Sequence, residues 1–148
     1  MTATPSETIH DAATLPPIVV TEPDYDKLIR FVERQSSTMP RVMRFLEQEL
    51  DRAELVPARE VPRDVVTMNS RLLFRLASTG LSRAVTLVYP TEADLMAGRM
   101  SIMTPAGVAL LGLRAGQSMS WEDRVGEIKT LTVQHVLFQP EASGRFDL

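Results

Sequence analysis

Two histidines, His10 and His135, are the only imidazoles in the chain, and cysteine is absent. A zinc centre needs three or four converging nitrogen, sulfur or carboxylate donors, and neither histidine has carboxylates beside it at metal-ligand spacing. His135 falls in a β-rich run and reads as a half-exposed strand residue, not a base. Neither Gly-x-x-x-x-Gly-Lys nor Gly-x-Gly-x-x-Gly occurs, so the loops that cradle phosphates in nucleotide enzymes have no counterpart in the sequence. No serine stands in a Gly-x-Ser-x-Gly elbow. Glu47, Glu49, Asp51 and Glu54 are close together, but on a helical stretch where solvent-facing acid is the ordinary outcome. The inventory predicts no catalytic residue, no metal and no cofactor, hence a binding protein and not an enzyme.

Charge narrows the partner. The 148 residues hold 16 Lys and Arg against 19 Asp and Glu, a net charge of −3, whereas proteins that neutralise phosphates carry a basic surplus. The bases of residues 55–148 are spread along the sequence instead of clustered. A protein partner is expected, with no direct binding to nucleic acid. The lack of cysteine fits a reducing compartment. There is no leader-like pattern and no run near the ~20 apolar residues that cross a bilayer, so the expectation is a cytoplasmic protein without membrane contact.

The elements that must present a binding surface fall into three stretches. Residues 1–16, rich in Thr, Ala, Ser and Pro without periodicity, read as a disordered tail. Residues 17–56 read as a helical hairpin. Thr21 is an N-cap with Pro23 in the first turn, Tyr25, Leu28, Ile29 and Val32 form one stripe, and Pro40 opens a second helix with Val42, Phe45, Leu46 and Leu50 on its apolar face. Two arrangements fit this pattern: an antiparallel coiled-coil stub standing clear of the rest, or two helices packed on the main domain. Pro57 and Pro62 mark a linker over residues 55–64.

Residues 57–148 then read as one α+β domain, an antiparallel sheet with one short helix. Strands are expected at 65–68, 71–77, 84–89, 100–103, 117–122 and 128–138, and a helix opened by Pro105 and closed at Gly112.

The segment Ser101-Ile102-Met103-Thr104-Pro105-Ala106-Gly107-Val108-Ala109-Leu110-Leu111-Gly112-Leu113-Arg114-Ala115-Gly116-Gln117-Ser118 resembles the Ser-Pro-x-Ala-Leu-Leu-Gly-x-x-x-Gly-Asp pattern of the C-terminal domain of the GreA/GreB transcript elongation factors. Three further motifs, Asp64-Val65-Val66-Thr67-Met68-Asn69-Ser70, Leu87-Val88-Tyr89-Pro90 and Gln139-Pro140-Glu141-Ala142, make the chain similar to the Rnk family, regulators of nucleoside diphosphate kinase that share that domain. The resemblance implies an FKBP-like fold for residues 57–148 and RNA polymerase as partner. It also implies a grip on the polymerase through Thr104, Pro105, Ala106 and Gly107, at the rim of the channel that Gre factors enter. Thr104 replaces the Gre-type serine and Gln117 the aspartate. The Gre factors need carboxylates at a long hairpin tip to hold catalytic Mg²⁺; the break at residues 35–40 here is short-armed and acid-free. Docking without transcript cleavage is expected, with an indirect effect on the kinase. Two other classes remain open: an FKBP-like peptidyl-prolyl isomerase built around Phe74, Tyr89, Trp121 and Phe138, and a generic protein-interaction module.

Overall fold

A computed structural model of the chain describes residues 15–148; the expected tail, apart from Leu15 and Pro16, and His10 with it, lies outside the described residues. Thr21 ends the first strand, β1 (Val19–Thr21), and caps α1 (Glu22–Gln35), its Oγ1 accepting from the Asp24 N–H at 3.3 Å. The cap fixes where the helix starts, and so turns Leu28, Phe31 and Val32 inward. After Ser36–Met39, α2 (Pro40–Arg52) opens on its proline and buries Met43, Leu46, Glu49 and Leu50. The chain leaving α2 runs back beside β1 as β2 (Glu54–Val56), with Val19 opposite Glu54 and Thr21 opposite Val56 in a parallel ladder. The expected linker therefore begins as a strand, because the buried β1 backbone needs hydrogen-bond partners.

Five strands make the main sheet: β3 (Arg71–Leu76), β4 (Ser82–Val88), β5 (Arg99–Ser101), β6 (Ser118–Glu122) and β7 (Ile128–Phe138), in the order β5-β4-β3-β7-β6. Leu72, Phe74, Val85, Leu87, Leu131 and Val133 bury one face, while Arg71 and Arg75 alternate outward. The expectation of an antiparallel sheet needs one correction. β5 runs parallel to β4, with Leu87 opposite Met100, because the polar connection at residues 89–98 crosses over through two short 3₁₀ turns instead of reversing.

The run at residues 65–68 is not a strand, although all four side chains are buried. Its backbone is held by separate bonds: Val66 N–H to Leu113 O at 2.8 Å, Gly112 N–H to Val66 O at 2.8 Å, and Met68 N–H to an Asp24 carboxylate oxygen at 3.1 Å. Asn69 is left-handed, at φ 69°, which ends any extended pairing there. The third helix, α3 (Pro105–Leu110), stops ahead of Gly112 at φ 81°. A Cβ at that glycine would lie 2.9 Å from Ile18 Cβ and 3.0 Å from Val19 O. Its absence lets β1 dock on the end of α3, with Val19 N–H donating to Gly112 O at 3.1 Å.

One apolar core runs through both helices and the sheet: Leu28, Phe31, Leu46 and Leu50 join Leu72, Phe74, Leu110 and Val133. Of the two arrangements that the helical stripes allow, the chain adopts packing on the sheet domain. The start of α2 is also pinned there, where the Arg41 guanidinium donates to Asp123 O at 2.7 Å and Glu122 O at 3.2 Å in the β6–β7 turn.

Candidate partner-binding site

The turn between β5 and α3 is built by one hydroxyl. Thr104 Oγ1 donates to Ser101 O at 2.8 Å and accepts from the Gly107 N–H at 3.0 Å. It thus closes the turn and caps the helix at once. Pro105 supplies the first helical residue without a wasted N–H. The cap leaves Pro105 exposed and Thr104 and Ala106 half-buried, while Gly107 is buried. Of the four residues read as a grip, three present surface; Gly107 serves packing, since a Cβ there would lie within 2.3 Å of Ser101 O. Thr104→Val is expected to lower stability by about 1–2 kcal/mol, seen as a lower thermal midpoint that Thr104→Ser restores. An unchanged midpoint in the valine variant would remove the hydroxyl from this account.

Beside the turn, a groove of about 1210 Å³ runs between α2 and β6. Met39, Val42, Phe45, Met103 and Trp121 are its half-buried apolar lining, the exposed Pro105 borders it, and the charged residues Arg44, Arg124, Glu122 and Asp123 also line it. β6 is an edge strand, hydrogen-bonded only to β7 within the sheet. A flexible thioether and aromatic lining next to an exposed proline suits a protein segment better than a small polar substrate.

A buried polar seam joins the motif segments. Asp24, 5 % exposed, accepts from the Met68 N–H at 3.1 Å. Thr67 Oγ1 donates to Glu141 Oε1 at 2.8 Å and shares a 2.8 Å hydrogen bond with Ser70 Oγ. Gln139 Nε2 donates to Pro62 O at 2.7 Å and Val65 O at 2.8 Å. Burial pushes the Asp24 carboxyl up to about 6; the Met68 N–H opposes this, and the charge of Glu141 adds to it. Burial, with the Asp24 charge second, also raises the Tyr89 phenol, whose buried hydroxyl has no hydrogen-bond partner among the described residues. Sequence reading missed Asp24 as more than a first-turn acid. Its one signal was its place four residues before Leu28, on the buried stripe of α1.

The other candidates are dispersed. His135 is exposed on β7, opposite Leu73. Glu47 and Asp51 are exposed on α2 and Glu54 begins β2. Glu49, expected to face solvent, is only 3 % exposed: Arg52, one turn on, neutralises it through contacts of 2.8 and 3.0 Å. Among the described residues no three His, Asp or Glu side chains converge to hold a metal ion. Of the aromatic residues, Phe74 is in the core, Trp121 lines the groove, and Tyr89 lines a second cleft. No described helix is long and apolar enough to cross a membrane.

Residues 61–137 match the family model described as transcription elongation factor, GreA/GreB, C-term, and residues 16–56 match the Rnk N-terminus. The regulator of nucleoside diphosphate kinase of Escherichia coli strain K12 is 40% identical over 131 residues, 88% of this chain and 96% of that protein. The transcription elongation factor GreA of Syntrophomonas wolfei is 33% identical over 84 residues, 57% of this chain and 53% of that factor. Among solved structures, the transcription elongation factor GreA/GreB from Nitrosomonas europaea superposes with a TM-score of 0.65 at 36% identity, covering 83% of this chain and 99% of that one. From its helical N-terminal module to its GreA/GreB-type C-terminal domain, the chain belongs to the Rnk family, the regulators of nucleoside diphosphate kinase.

Proposed function

We propose that this protein regulates transcription by binding RNA polymerase at the site that Gre factors use, the rim of the secondary channel, without stimulating transcript cleavage. The observation that carries the reading is the exposed Pro105, held by the Thr104 cap at the edge of an apolar groove, inside the segment that matches the GreA/GreB C-terminal model. The lack of cleavage follows from the helices. They are 14 and 13 residues long, they lie on the sheet domain, and Arg41 ties the start of α2 down. Glu33 and Glu47, the acids nearest the break, are exposed on the helix flanks and not at the break itself. Two such carboxylates on arms of roughly 20 Å do not reach a catalytic Mg²⁺ deep in the polymerase. The kinase in the relatives' names is then affected indirectly, through expression.

Retention on core RNA polymerase tests the reading. Wild-type protein is expected to be retained and to be displaced by excess GreA. Pro105→Asp, which leaves the buried Val108 and Leu111 in place, is expected to lose most retention while melting within a few degrees of wild type. In a backtracked elongation complex the protein alone should give no cleavage, and in excess it should suppress the cleavage stimulated by a Gre factor. Cleavage that disappears on Glu33→Ala or Glu47→Ala would sink the non-catalytic part. A lack of competition would sink the shared site.

A further inference from the structure

Lys27, Arg30 and Arg34 stand on one face of α1, spaced i, i+3 and i+7 over about 10 Å of helix. All three are exposed, and the ion pairs among the described residues involve other cations. They line a cleft of about 520 Å³ against Tyr89, Pro90 and Thr91, floored by Phe31 and Met103, with no carboxylate in its lining. On a chain of net charge −3, this is a positive strip that runs against the average. Met103 belongs both to this cleft and to the groove beside Thr104 and Pro105, so the two surfaces are continuous.

We infer that the Lys27, Arg30 and Arg34 face of α1 is a second half of the docking surface, one that receives an acidic segment of the same protein partner that grips the Thr104–Ala106 turn. The inference rests on the polymerase-binding reading and adds the charge of the partner surface. A row of carboxylates on a helix repeats at the spacing of these cations, and the apolar floor accepts the side chains between them. A polyphosphate strand is less well matched. Asp26 and Glu33, both exposed one row over on α1, confine the positive charge to a single short row, which matches a short acidic segment and not a phosphate chain that needs cations along its length. Opposed charges of this kind act mainly on the rate of encounter.

The test is association of the full chain with core RNA polymerase from about 50 to about 300 mM salt. The variants are the triple Lys27→Glu, Arg30→Glu, Arg34→Glu and a milder triple to Gln, with folding checked by thermal melting. The Glu triple is expected to slow association at low salt about ten-fold or more and to flatten its salt dependence, with the Gln triple intermediate. Pro105→Asp should instead shorten residence and keep the wild-type salt dependence. Wild-type association in folded Glu and Gln triples overturns the inference while the polymerase reading stands. Failure of wild-type protein to bind polymerase at all overturns both. Binding of wild-type protein to a short single-stranded RNA, lost in the Glu triple, would mean that the strip reads phosphates and would also overturn the inference.

Discussion

Gly107→Ala is expected to lower the thermal midpoint by roughly 10 °C, although glycine inside a helix is normally improved by alanine by about 1 kcal/mol. The sign reverses because of what faces the missing Cβ. It would lie within 2.3 Å of Ser101 O and 3.0 Å from Thr104 Oγ1, and neither atom is free to move. Ser101 O accepts from both the N–H and the hydroxyl of Thr104, and that hydroxyl in turn accepts from Gly107 N–H. Relieving the contact means opening the turn, which breaks the cap or lifts α3 off a core holding Val108 and Leu110 at 0 % exposure. Overpacking against backbone of this kind costs about 3 kcal/mol, and one kcal/mol moves the midpoint of a domain near this size by about 4 °C. Because Thr104 and Pro105 move with the turn, polymerase retention should fall as well. A midpoint equal to or above wild type would show that the turn yields freely, and would remove the rigid cap on which the proposed grip depends.

Much of the architecture was readable because it is written in local signals. Thr21 and Pro23 set the start of α1, Pro40 that of α2, Thr104 and Pro105 that of α3, and alternation in residues 71–76 placed the inward face of β3. These depend on a few neighbours in sequence and survive tertiary context. What was not readable depends on distant partners. The direction of β5 is set by how residues 89–98 pass over the sheet, and the apolar run at 65–68 reads as a strand until Leu113, Gly112 and Asp24 are seen to take its hydrogen bonds. The site divides in the same way. Thr104 and Pro105 were legible as the hydroxyl and proline that open α3, but the exposure of Pro105 and the groove beside it need α2 and β6 to meet. The motif residues Thr67, Ser70, Gln139 and Glu141 marked the family without disclosing that they close a polar seam between residues 62–70 and the segment after β7, beside the bond from Met68 N–H to Asp24 of α1.

That seam makes stability depend on pH in a direction opposite to the usual carboxylate. Asp24 is drawn up from 3.8 to about 6 by burial, so between those values the folded chain holds a proton that the unfolded chain has released. Its contribution is therefore most favourable below about pH 4, is lost as pH rises through 6, and leaves the folded state carrying the cost of a buried charge at neutral pH. A separation of about two units corresponds to about 3 kcal/mol. Asp24→Asn isolates this effect, because the amide oxygen can still accept from Met68 N–H while carrying no charge. Asp24→Ala does not, since it leaves that buried N–H without its acceptor at a cost of about 1–3 kcal/mol. Denaturant unfolding of wild type and Asp24→Asn at about pH 4 and about pH 7.5 is expected to show the difference between them shifting by up to about 3 kcal/mol in favour of the asparagine variant at the higher pH. A difference that stays constant across this range would mean that Asp24 titrates as an ordinary surface carboxylate, and that Met68, Thr21 and Lys27 fully offset its burial.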